Sequence, residues 1–125
     1  DRVIPRQDAG PAEGAFAGMK AVHDKIDGPF LIKEDTALHG LATGGAVVRS
    51  GVRFVLHGMI TGDLVVEPKA RAIIHGMVNG AIFNDGGRVE LFGTVDVVAD
   101  RSPDAVTVID PVARVRGRRE ARGII

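Results

Sequence analysis

Three of the chain's four histidines, His39, His57 and His75, recur eighteen residues apart, and each is followed by glycine. The phrases read His39-Gly40-Leu41-Ala42-Thr43-Gly44, His57-Gly58-Met59-Ile60-Thr61-Gly62 and His75-Gly76-Met77-Val78-Asn79-Gly80. Imidazoles gathered in a row can share a metal ion or pass protons near neutral pH, so this is where residue type and spacing suggest chemistry. A histidine in such a role is ordinarily oriented by a carboxylate or carbonyl on its other nitrogen. The repeat puts no carboxylate in the same column. The expectation is a structural ladder beside a glycine corner: His39, His57 and His75 are the metal candidates, and no metal, cofactor or catalytic residue is assigned. The sequence shows no phosphate-cradling loop, no nucleophile elbow and no carboxylate pair at catalytic spacing.

A fourth phrase, Phe92-Gly93-Thr94-Val95-Asp96, follows seventeen residues after the third. A repeat this short cannot bury its own apolar face, so each copy is one coil of a solenoid. From Ile26 onward the hydrophobic period is two. Ala46, Val48, Phe54, Leu56, Ile60, Leu64, Val66, Ala72, Ile74, Val78 and Ile82 are all even-numbered, whereas Arg49, Arg53, Asp63, Glu67, Lys69 and Arg71 are all odd. Alternate side chains of a strand point to opposite faces, which sends the even set inward and the odd set outward. At Asp85-Gly86-Gly87 the parity flips, and Val89, Leu91, Gly93, Val95 and Val97 become the expected inward set. One deletion at this corner explains both the flip and the shortened spacing. It also stacks Arg88 over Arg71 and Arg53, and Leu91 over Ile74 and Leu56. The columns Gly44/Gly62/Gly80, Gly58/Gly76/Gly93 and Ser50/Pro68/Gly86 supply the corners of a triangular cross-section. The predicted fold is an all-β, single-stranded triangular β-helix of roughly five coils, each about 4.8 Å above the last.

Composition agrees with that fold. The 125 residues suit one domain, and they are 45% hydrophobic but only 4% aromatic, with 17 Gly and no Trp or Tyr. A slender interior of Val, Ile, Leu and Ala accounts for this better than an aromatic-rich core. Sixteen basic and sixteen acidic residues cancel, so no global field draws the body onto nucleic acid. Arg114, Arg116, Arg118, Arg119 and Arg122 lack interleaved aromatics, and no nucleic-acid partner is expected. The absence of cysteine rules out disulfides and thiolate ligands.

Residues 1–14, with Pro5, Gly10, Pro11 and Gly14 among charges, read as a flexible arm. Over 15–26, Phe16, Met19, Val22 and Ile26 recur at helical spacing and predict a short amphipathic helix that covers the first coil. The expected organisation is an arm and capping helix over 1–25, a solenoid over 26–117 and a basic tail over 118–125. Three outward columns are apolar: Val47/Val65/Phe83, Val55/Ile73 and Leu41/Met59/Met77. Continuous apolar stripes mark interaction surfaces, although strand surfaces also favour Val and Ile for packing alone.

The run Gly58-Met59-Ile60-Thr61-Gly62-Asp63-Leu64-Val65-Val66-Glu67-Pro68-Lys69-Ala70, recurring through 76–93, resembles the bactofilins, bacterial polymer-forming cytoskeletal proteins. Their sequences read Gly-x-hydrophobic-x-Gly-(Asp) followed by alternating Val and Ile, and the similarity covers about residues 38–97. The resemblance implies a right-handed β-helix with disordered flanks that assembles end to end without nucleotide. The expected function is a non-enzymatic scaffold that binds itself through its coil ends and recruits partners on its flanks or apolar stripes. The expected location is cytoplasmic, with membrane contact through the flanks as a variant. Two other readings stay open. One is a monomeric adaptor or neutralising module that binds another protein on an apolar face. The other is a trimeric hexapeptide-repeat enzyme using the histidine ladder. For the latter, Ala42, Val48, Phe54, Ile60, Val66, Ala72 and Val78 keep a six-residue spacing, but none is followed by the glycine of that signature.

Overall fold

The computed structural model describes residues 19–117, together with the backbone of Arg119 and Glu120. Every strand pairing in it is parallel, and the chain winds into a solenoid with three faces. The first face stacks β1 (Lys20–Val22), β4 (Thr36–Leu38), β7 (Arg53–Leu56), β10 (Arg71–Ile74), β12 (Arg88–Leu91) and β14 (Val106–Ile109). The second begins with β2 (Lys25–Ile26), β5 (Leu41–Thr43) and β8 (Met59–Thr61), and the third with β3 (Phe30–Ile32), β6 (Ala46–Val48) and β9 (Leu64–Val66). Higher up, β11 (Met77–Asn84) and β13 (Thr94–Asp100) run through the corner between these two faces. The short strands β15 (Arg114–Val115) and β16 (Arg119–Glu120) follow on top of β13. The first face is six strands deep, and the chain makes about five turns.

Alternation decides which side chains form the core. Ile32, Leu38, Ala42, Val48, Phe54, Leu56, Ile60, Leu64, Val66, Ala72, Ile74, Val78, Ile82, Val89, Leu91 and Val95 form one continuous buried cluster. Neighbouring coils fit by volume: Phe54 stands in register between Thr36 and Ala72, so the largest interior ring is flanked by two small residues. The register is eighteen residues through the middle of the solenoid and drops to seventeen where Arg71 pairs with Arg88 and Ile74 with Leu91. The deletion therefore falls at the double-glycine corner, as the sequence predicts. Asn84, fully buried, holds that tightened corner, because its side-chain carbonyl accepts hydrogen bonds from the amides of Gly86 (3.2 Å) and Gly87 (2.8 Å).

One expectation changes. Val97 was expected to face inward, but Val98 does so, at 1% exposure, while Val97 is only half-buried. The cause is a second register change. Val78 pairs with Val95 but Ala81 with Val97, so Asn79 and Gly80 together oppose the single Asp96 in a β-bulge. The bulge restores the original parity within one strand. The helix expected over 15–26 lies outside the described residues for 15–18. From Lys20 the chain is strand: β1 pairs with β4 and β2 with β5 at a spacing of sixteen. Val22 and Ile26 sit on two successive strands across a corner.

One backbone position is locally unfavourable. Lys69 has φ +69°, at the turn where the preceding coil has Gly51 at φ +78°. A side chain in this region crowds its own carbonyl, a cost that glycine avoids. Lys69→Gly is expected to stabilise the fold by about 0.5–1 kcal/mol, read as a higher Tm; an unchanged or lower Tm would contradict this reading of the turn.

Candidate functional site: the histidine ladder and the apolar stripes

The ladder follows from the glycine corner directly after each of its three repeat histidines. At Gly58 and Gly76 the chain passes so near the coil below that a Cβ would overlap the carbonyl oxygen of Gly40 or Gly58 respectively. The amides of His57 and Gly58 both donate to the Leu38 carbonyl (2.8 and 3.0 Å), and that of Met59 donates to the Gly40 carbonyl (3.0 Å). The same bonds recur one coil up, from His75 and Gly76 to Leu56 and from Met77 to Gly58. With the backbone pinned identically at each level, the side chain before the glycine leaves in the same direction every time.

The rings stack accordingly. Centroids of His39 and His57 lie 4.6 Å apart with planes 7° from parallel, and those of His57 and His75 lie 5.4 Å apart at 6°. Phe92 closes the column 5.0 Å beyond His75. At the other end the column gains a member that sequence reasoning missed: His23 stacks on His39 at 4.7 Å. The signal was present, since His23-Asp24-Lys25-Ile26-Asp27-Gly28 keeps the His-x-x-apolar-x-Gly frame, but at the sixteen-residue spacing of the first coil. All four histidines thus share one exposed edge of the solenoid.

This arrangement favours stacking over ligation. Lone pairs of an imidazole lie in the ring plane, so parallel rings aim them side by side instead of at a common point. Among the described residues, no group of three or more His, Asp or Glu is placed to hold a metal ion. The tendency of His57 to take a proton is lowered, first by burial against its neighbours and then by the flanking His39 and His75. Both neighbours that act on its charge are themselves histidines.

The apolar columns differ in accessibility. Val47, Val65 and Phe83 are in register on the third face and half-buried, and the stripe continues downward to Leu31, which is 47% exposed, and upward to Ala99. Arg101 covers its upper part with its guanidinium 4.4 Å from the Phe83 ring centre, where a bidentate pair with Asp85 (2.6 and 2.8 Å) fixes it. Leu41, Met59 and Met77 form a half-buried row on the second face, beside the ladder. Val55 and Ile73 are in register on the first face, but Val55 is only 1% exposed and offers no accessible surface, and Ile73 is half-buried. Next in that row stands Glu90, whose carboxyl is held below its ordinary range by the hydrogen bond from Arg88 and by the nearby Arg71, against the opposing effect of burial.

No helix among the described residues is long and apolar enough to cross a membrane. No family model matches the chain, and neither does any curated protein or solved structure.

Proposed function

We propose that the chain is a non-enzymatic, bactofilin-like scaffold that binds other copies of itself through the ends of its solenoid and recruits partners along its sides. The observation that carries this reading is the parallel stack itself. Among the described residues, a strand at either end has a neighbour on one side only, with a row of backbone donors and acceptors, next to a slice of apolar interior, for another chain to extend. The bactofilin resemblance over residues 38–97 supports it, as does a ladder geometry that favours stacking over metal ligation. Self-association that increases with concentration, seen by sedimentation and by negative-stain microscopy, is the expected result. A strict monomer at every concentration would overturn the scaffold reading.

One observation favours a second reading, a monomeric protein-binding module. The Leu31, Val47, Val65 and Phe83 stripe crosses successive coils on one accessible face, a shape that fits an extended apolar partner. That reading predicts a stable one-to-one complex that Val65→Glu abolishes while leaving the fold intact. Retention of the complex by Val65→Glu would sink it.

A further inference from the structure

The interior column that begins with Ile32 runs through Val48 and Val66 and then turns polar, to Asn84 and Asp100. A neighbouring interior column, from Phe54 through Ala72 and Val89, reaches Thr107. Polar side chains in an apolar shaft are costly unless they are bonded, and these three are bonded to one another. Asn84 is fully buried, whereas Asp100 and Thr107 are half-buried.

The Asn84 carbonyl oxygen Oδ1 accepts from the amides of Gly86 (3.2 Å) and Gly87 (2.8 Å). Its Nδ2 donates to the Val106 carbonyl (2.9 Å) and to the Thr107 hydroxyl (3.2 Å). Backbone amides only donate and a backbone carbonyl only accepts, so these partners fix which way the carboxamide points. The Thr107 hydroxyl in turn donates to Asp100 Oδ1 (2.5 Å).

These are the parts of an acyl-transfer centre. Two amides aimed at one carbonyl oxygen polarise it and stabilise the negative charge it gains when its carbon is attacked. A hydroxyl bonded to a carboxylate has a base to take its proton. The hydroxyl also stands beside the group it would attack. An amide carbon lies only about 1.3 Å from its nitrogen. A shift of at most about 1 Å, out of the carboxamide plane, therefore brings Oγ to the roughly 3–3.5 Å from which attack begins.

We infer that Thr107 and Asn84 react once, with no cofactor and no second protein, to form an ester that crosslinks the solenoid from within. Thr107 Oγ bonds to Asn84 Cγ while Asp100 takes the hydroxyl proton. The Cγ–Nδ2 bond then breaks, the proton passes from Asp100 to the departing nitrogen, and ammonia leaves. Nothing is oxidised or reduced. The product ties β11 to β14, twenty-three residues further along the chain, and its acyl carbon stays where burial shields it from hydrolysis.

Intact-mass measurement and tryptic mapping of the full chain test this, with circular dichroism and thermal melting to establish that each variant folds. The parent is expected to weigh about 17 Da less than its sequence, the mass of the ammonia expelled. Trypsin should release residues 72–88 joined to residues 102–114. Thr107→Ser, which keeps the hydroxyl, should retain the link. Thr107→Val should lose it and show the full sequence mass, and Asp100→Asn should slow its formation about 100-fold or more. A folded parent at full sequence mass, with the two peptides separate, would overturn the inference. So would a deficit of the same size that persists in Thr107→Val, because an asparagine closed into a ring by the following amide also expels ammonia. Hydrolysis of Asn84 to an aspartate without the link would show that water takes the acyl group, and would overturn it equally.

Discussion

Gly76→Ala is expected to destabilise the solenoid by about 3–5 kcal/mol, a large part of the stability of a domain this size. The added methyl would overlap the Gly58 carbonyl oxygen and the His57 backbone directly beneath it. Backbone has no alternative rotamer with which to give way, so the third and fourth coils must part. Parting them weakens the bonds from Gly76 to Leu56 (2.9 Å) and from Met77 to Gly58 (3.0 Å). It also lifts Ile74 and Val78 off the coil below. Gly51→Ala is the control. Its Cβ meets open space, and only the positive φ opposes it, a cost of about 1 kcal/mol. Chemical denaturation of the two variants beside the parent measures both effects. Equal losses would show that close passage of the coils does not constrain the corner.

Acidification is expected to weaken the fold through the histidine column. Because the folded state lowers the proton affinity of His57, the unfolded chain binds more protons near and below the ordinary histidine value of about 6.5. The corresponding stability is complete above that value and is lost as pH falls through it toward the lower folded value. The rings of His39 and His75 lie 4.6 and 5.4 Å from His57, and repulsion of a charge at that range is at most about 1 kcal/mol in water and is screened by salt. In sequence order, the strand residues on either side of the three repeat histidines are Ala37, Val55 and Ile73 and then Leu41, Met59 and Met77, all apolar. Glu90 contributes in the opposite region. Its lowered carboxyl stabilises the fold above the ordinary carboxylate range and loses that effect only at more acid pH. Urea midpoints should therefore fall between about pH 7.5 and 5.5, less steeply at high salt. His57→Phe, which repeats the ring already used at Phe92 in the same column, should flatten the fall. An unaltered pH slope in that variant would refute the role given to the ladder.

The middle of the fold was legible because three coils share one length. With eighteen residues per turn, Ala46 over Leu64 over Ile82 and Phe54 over Ala72 can be aligned by eye, and a single deletion beside Gly86 leaves the next column readable. Both ends broke that regularity. The first coil is two residues shorter, an even number that preserves parity but shifts His23 out of the repeat. At Asp96 the bulge exchanges the roles of Val97 and Val98, and nothing in a run of valines marks which one turns inward. The site was legible to the same extent. Three of four stacked histidines were visible from spacing, whereas the burial of Val55 and the Arg101 cover over Phe83 depend on packing that alternation does not encode.

Everything above requires that eighteen residues return the chain to the same face, one strand higher. The sequence contains no cysteine, so a pair introduced at Val47 and Val65, register partners on neighbouring strands, reports on that return directly. Their Cα atoms should lie about 4.8 Å apart, within disulfide range, whereas Val47 and Phe83, two coils apart at about 9.6 Å, are out of reach. Under mild oxidation the account predicts an intramolecular disulfide in Val47→Cys/Val65→Cys and none in Val47→Cys/Phe83→Cys. Failure of the first pair to close, or equal closure of both, would contradict it.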